Sequence, residues 1–192
     1  RGLYDLNTFT ADEAILPTRG GDWDDGGLWR NLFTHNWGTN NDLIIGTWDY
    51  LYGVIVQCNQ SIDKLVSLKE QDPENEYYEI YRSEVRAIRA MYYYYLLDMF
   101  ARVPIVESSL TQMADVKQSE RTDVFNFVKK ELEESIPLLE DAKSAENGEF
   151  YGRMTKAAAY FLMAKLALNA EVYTDNDWTD QSRPDGKNIK FT

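Results

Sequence analysis

The sequence predicts an all-α fold. Three observations carry that expectation. Apolar residues recur at alternating steps of three and four through two long stretches, prolines fall where such stretches end, and a later stretch is apolar almost all round. Residues 1–42 stand apart. They show no sustained periodicity, and Pro17, Gly20, Gly21, Gly26, Gly27 and Gly38 share a short span with Trp23, Trp29 and Trp37. Such punctuation around large aromatics predicts an ordered, irregular loop, because a flexible linker carries Ser and Gly without Trp.

The first helix is expected to open at Asp42, a residue type suited to an N-cap. Ile44, Trp48, Leu51, Ile55, Cys58, Ile62 and Leu65 then form one apolar stripe, and the helix should run to about Lys69 and stop before Pro73. A second helix follows from about Glu74 to Phe100. Tyr78, Tyr81, Val85, Ile88, Tyr92, Tyr95 and Met99 make its stripe, widened by Ala87, Ala90, Tyr94 and Leu97. Arg102–Val106 reads as a short extended exit, since the residue before Pro104 avoids helix. After a polar loop, Thr122 is expected to cap a third helix carrying Phe125, Val128, Leu132 and Ile136, which Pro137 should kink or end. Thr155 opens a fourth helix to about Val172. Lys165 is its only charge between Ala157 and Leu168, which predicts a place at the centre of the packing, where Ala157, Ala158, Ala159, Ala164 and Ala167 admit close neighbours. Within each pair the helices start about 32 residues apart. That spacing suggests two hairpins, 43–106 and 107–173, stacked like tetratricopeptide repeats, followed by a polar tail over 174–192.

Composition narrows the function. The 192 residues suit one domain or part of one, and 20 basic against 32 acidic side chains give a charge of −12. That balance argues against nucleic acid, which needs clustered Lys and Arg. No apolar stretch approaches the ~20 residues that span a bilayer. The single cysteine, Cys58, excludes an internal disulfide and reads as an inert buried thiol. The single histidine, His35, excludes an H-E-x-x-H metalloprotease. No charged and apolar leader or lipidation cysteine is visible, and the sequence ends on a polar stretch, so the chain reads as a piece of a longer protein.

The aromatic load is high, with 13 Tyr, 8 Phe and 5 Trp. Consecutive residues on a helix point about 100° apart, so Tyr92–Tyr95 cannot form one platform and is read as structural. Arg82, Arg86 and Arg89 form a basic stripe expected to pair with acids on adjacent helices. The informative segment is 17–41. Indole faces beside amides, carboxylates and an arginine suit a sugar, which offers an apolar C–H face and a rim of hydroxyls. Trp23, Trp29 and Trp48 are read as anchors of the loop; Trp37, between His35-Asn36 and Gly38 with Asn40 three residues on, is the indole expected to be exposed. The run Asp22-Trp23-Asp24-Asp25-Gly26 is not an EF-hand, because Gly26 and Phe33 occupy positions that need oxygen ligands. The same acids leave open a glycosidase carboxylate pair. No G-x-S-x-G elbow appears, and no cofactor is expected.

Five segments carry a family resemblance. D-E-A-I-L-P-T-R-G-G-D-W (Asp12–Trp23) with H-N-W (His35–Trp37) and W-D-Y-L-Y-G-V-I-V-Q-C-N (Trp48–Asn59) is similar to the RagB/SusD family. So are R-A-I-R-A-M-Y-Y-Y-Y-L-L-D-M-F-A-R-V-P-I-V (Arg86–Val106) and G-R-M-T-K-A-A-A-Y-F-L-M-A-K-L-A-L-N-A-E-V-Y (Gly152–Tyr173). The resemblance implies a surface-exposed outer-membrane lipoprotein that captures glycans without catalysis and serves a SusC-like TonB-dependent transporter as a lid. It implies a helical fold built on tetratricopeptide-like pairs, and a chain that is an excerpt from the N-terminal half. By order and spacing it also implies a ligand-binding set of Asp12, Arg19, Trp37 and Asn40. Two other classes stay open: a protein-interaction module docking to the transporter, and a glycoside hydrolase.

Overall fold

A computed structural model describes residues 2–177, 179 and 180. Of the tail expected over 174–192, residues 178 and 181–192 lie outside the described residues. Among the described residues the regular structure is helical, and extended segments make only two isolated bridges, Arg19 with Asp22 and Pro104 with Gln118. The helices are α1 (Leu3–Thr10), α2 (Leu28–Phe33), α3 (Asp42–Gln71), α4 (Tyr77–Phe100), α5 (Arg121–Ser135), α6 (Lys156–Leu168) and α7 (Ala170–Tyr173), with single 3₁₀ turns at Asp25–Gly27, Met113–Asp115 and Ile136–Leu138. Two compact units divide between Tyr52 and Gly53, within α3.

The first unit corrects the expectation of an irregular region, since α1 and α2 form inside it. Both are too short to show a periodic signal, and α1 buries only Leu6. What holds them is an aromatic cluster. Phe9 and Trp23 approach the buried Trp29 with ring centroids 5.1 and 6.5 Å away, and Leu32 is fully buried beside it on α2. Gly26 and Gly27 both take positive φ (63° and 83°), which a Cβ would oppose, and so turn the chain into α2. The cap of α3 is Asn41 rather than Asp42. Its carboxamide oxygen accepts from the backbone N–H groups of Leu43 (3.0 Å) and Ile44 (3.2 Å), while Asp42 is already the first helical residue.

In the second unit the α3 stripe is buried as expected at Ile55, Cys58 and Ile62, and burial pushes the Cys58 thiol up. On α4 the expected order of stripes is reversed. Ala87, Ala90, Tyr93, Tyr94, Leu96 and Leu97 form the core face, whereas Tyr78, Val85, Ile88, Tyr92, Tyr95 and Met99 are half-buried and Tyr81 is exposed. The determinant is a charged core. Arg89 donates to Glu131 of α5 (2.6 and 2.9 Å), to the Asn59 side chain of α3 (2.7 Å) and to the Glu107 carbonyl (2.8 Å). Arg86 completes the group with bonds to Glu131 (2.6 and 2.9 Å) and Glu134 (2.5 Å). Two of the three arginines thus pair with a neighbouring helix; Arg82 pairs instead with Glu79 on its own helix, at 2.8 Å. Orienting Arg86 and Arg89 toward α5 carries the adjacent Ala87 and Ala90 inward.

Tyr93 fixes the exit from α4. Its hydroxyl accepts from the Val106 N–H at 2.8 Å and donates to the Val106 carbonyl at 3.2 Å, and burial pushes its pKa up to about 12. Asp63 secures the next turn by accepting from the Ser109 N–H (2.8 Å) and the hydroxyls of Ser108 and Ser109 (3.1 and 2.6 Å). Helix α5 starts with a reciprocal capping box between Glu120 and Asp123, not with Thr122. The Thr122 hydroxyl is engaged elsewhere, at the Thr174 carbonyl and Asn176. Pro137 ends α5 in the 3₁₀ turn, as expected.

The fourth helix departs from expectation twice. It breaks at Asn169 into α6 and α7, and the break lets Tyr173 swing its hydroxyl to Asp98 of α4 at 2.6 Å. Nor is it buried all round. Ala159, Leu162 and Leu166 face the core, while Tyr160, Phe161 and Leu168 are exposed, Leu168 by 72%. Among the described residues, neighbouring helices cover only one of its sides.

Candidate functional site

The expected ligand residues all lie in the first unit, where local backbone geometry sets their positions. Helix α2 ends at Phe33, Thr34 closes it with a hydroxyl bond to the Arg30 carbonyl (2.9 Å), and His35 turns the chain with φ 54°. The His35 ring nitrogen Nε2 lies 2.8 Å from the Thr10 carbonyl oxygen, which ties the segment to the end of α1. The His35 and Trp37 rings pack at 5.6 Å, and the Asn41 N–H closes a turn onto the Gly38 carbonyl (3.2 Å). The turn holds Trp37 and Asn40 on one wall of an open cleft of about 290 Å³. Its other polar lining comes from Asp25, Asn31, Asn41 and Asp42.

Several of these groups already have structural duties. Asp25 accepts the Trp29 indole N–H at 2.6 Å, and the Asn41 carboxamide oxygen caps α3. The amides of Asn31 and Asn40 and the Trp37 indole, 42% exposed, remain to meet a ligand. That combination can hydrogen-bond hydroxyls and stack on a C–H face. Asp25 and Asp42 give the rim a negative field, which suits an uncharged ligand better than an anion.

Trp37 and Asn40 therefore share a cleft. Asp12 and Arg19 do not line it. Asp12 is an exposed residue with φ 57° just beyond α1, and Arg19 is exposed where its backbone exchanges two hydrogen bonds with Asp22 (3.0 and 3.1 Å). The four indoles of the described residues separate differently from expectation. Trp29 is buried and Trp48 half-buried against Tyr52 at 4.8 Å, as anchors should be, but Trp23 is 48% exposed, more than Trp37. Asn31 was not singled out by the sequence: it sits in a six-residue helix with no periodic signature. No cluster of three His, Cys, Asp or Glu among the described residues is placed to hold a metal ion, and no described helix is long and apolar enough to cross a membrane.

Comparison with known proteins places this geometry in context. Residues 21–168 match the SusD-like family model described as "Starch-binding associating with outer membrane". The starch-binding protein SusD of Bacteroides thetaiotaomicron is 25% identical over 174 residues, 91% of this chain and 29% of the relative. A laminarin-binding SusD-like protein shares the fold with a TM-score of 0.72 at 24% identity, over 89% of this chain and 35% of its own. Surface glycan-binding protein A from Bacteroides uniformis superposes with a TM-score of 0.70 at 25% identity, over 88% and 37% of the two chains. The chain thus spans about a third of the length of these relatives. With a family match running from the loop region through α6, and the same helical fold in the relatives, the chain belongs to the SusD-like family.

Proposed function

We propose that this chain is the N-terminal part of a non-catalytic glycan-binding protein of the bacterial cell surface. In this reading a lipid anchor holds the whole protein on the outer membrane, and the bound oligosaccharide passes to a SusC-like TonB-dependent transporter. The carrying observation is the cleft in which Trp37 and Asn40 meet, an indole face with amides around it. Family membership supports the ligand class, and the names of the relatives, described as binding starch, laminarin or glycans, point the same way. Arg19 and Asp12 belong to the proposed ligand set as contributors from neighbouring turns, reaching a sugar longer than the cleft. The test is titration of the full-length protein with a glycan panel, wild type against Trp37→Ala. A loss of about tenfold or more in affinity supports the reading; unchanged affinity removes Trp37 from the site, and no binding to any glycan overturns the sugar assignment.

One observation favours a second reading, a docking module for the transporter. The exposed Tyr160, Phe161 and Leu168 of α6 form an apolar face of the kind that helix-pair proteins present to partners. Charged substitutions at Phe161 and Leu168 would then abolish co-purification of the full-length protein with the transporter and leave glycan affinity intact.

A further inference from the structure

A second aromatic surface lies in the helical unit, and nothing in the Trp37 site accounts for it. Tyr77 and Tyr81, one turn apart at the start of α4, hold their rings nearly parallel, with an interplanar angle of 26° and centroids 6.2 Å apart. Both are open to solvent, 64% and 44% exposed. The Arg153 guanidinium lies over the Tyr81 ring at 5.8 Å and over Phe150 at 5.0 Å, which continues the row of flat groups away from α4. Arg153 is held in that pose by a two-point bond to Glu84, through Nε at 3.2 Å and through Nη2. Tyr151, also exposed, adjoins Phe150 on the same loop.

Two features identify the ligand chemistry. The guanidinium groups at the row are paired, Arg153 with Glu84 and Arg82 with Glu79, and the acids Glu76 and Glu149 adjoin it, so the surface offers nothing to attract an anion. Around it the chain has a charge of −12, which repels acidic polymers. Exposed tyrosine rings one helical turn apart, each with a hydroxyl at its edge, offer apolar contact and hydrogen bonds to a neutral chain of alternating C–H faces and hydroxyls. We propose that Tyr77, Tyr81 and Arg153 form a second saccharide platform that takes successive residues of a neutral glucan. The choice of ligand class rests on the glycan-binding reading above, while the location rests on this geometry alone. Such a platform adds avidity for long chains bound elsewhere on the same protein, and adds little for short ones.

The experiment uses the full-length protein with soluble starch and with laminarin, two neutral glucans of different linkage. Tyrosine nitration read by mass spectrometry should label Tyr77 and Tyr81 in the free protein, and saturating glucan should protect them. The double variant Tyr77→Ala/Tyr81→Ala, confined to exposed rings, should weaken retention in polysaccharide-containing gels roughly tenfold, the size expected for losing two ring contacts. Labelling unchanged by both glucans, with retention equal to wild type, overturns the platform. Trp37→Ala separates the two claims. If it abolishes all retention and the tyrosine pair changes nothing, the platform is wrong and the cleft stands. If the tyrosine pair matters and Trp37→Ala does not, the cleft assignment is wrong and the platform stands.

Discussion

In the unit from Gly53 onward, the buried charged groups Glu84, Arg89 and Glu131 each meet an opposite charge. Glu131, 3% exposed at its side chain, meets Arg86 and Arg89, and Asn59 completes the set. Among the described residues, the unit that ends at Tyr52 has no buried charged group. Its polar contacts include single bonds such as Trp29 to Asp25 and His35 to Thr10, and it leaves two of its four indoles open. The contrast is one of role. A buried ion cluster specifies a unique arrangement of long helices because a misplaced charge has no partner. A loop region held by aromatic contacts can keep rings at the surface, where a ligand can use them.

The largest test of this contrast is Glu131→Ala. Removing the shared anion leaves the buried Arg89 guanidinium without a carboxylate and Arg86 with Glu134 alone, and should cost roughly 3–5 kcal/mol in urea unfolding. Amide exchange should accelerate in α4 and α5 and stay unchanged in α1 and α2; a cost under about 1 kcal/mol would refute the role given to the cluster. In the other unit, Trp29→Phe keeps the ring packing but removes the bond to Asp25. The expected loss is about 2 kcal/mol, with faster exchange confined to α1 and α2.

Tyr93→Phe should cost about 1.5 kcal/mol, and it carries a pH signature. Because the folded pKa is raised from 10.0 to about 12, the unfolded chain releases this proton first. The stabilisation is therefore complete below pH 10 and is lost as pH rises to about 12. The Phe variant should show a flatter alkaline limb in a stability-against-pH series. Asn41→Ala should cost about 1 kcal/mol and Asp42→Ala only a few tenths, measured by thermal unfolding; the reverse order would return the cap to Asp42. Smallest is Trp37→Ala, with a stability change within about 0.5 kcal/mol. Against its expected loss of glycan affinity, that result would separate ligand contact from structural support.

The helices were legible because a step of three and four survives in a sequence without its neighbours. Which of two adjacent stripes faces inward was not. On α4 the tyrosines carried the larger apolar weight, yet the side bearing Arg89 went inside because α5 supplies Glu131 from 42 positions further along the chain. The apolar α6 could not reveal a direction either, since a helix apolar on all sides fits a centre or an open face equally well. In the loop region, Trp37 and Asn40 were recognisable by composition and spacing. Trp23 was not, because its exposure follows from how Trp29 sits beneath it. Asn31 needed the fold, since α2 alone brings it to the cleft.

The lone thiol gives this architecture a built-in clock. Cys58 sits in the middle of α3, 5% exposed, with burial raising its pKa, so it should react with an alkylating reagent only while the surrounding helices part. Because no second cysteine competes for the label, a single pulse followed by mass measurement reports the opening rate of the helical unit. Read with and without glycan, it tells whether ligand binding in the loop region is felt by the helices at all.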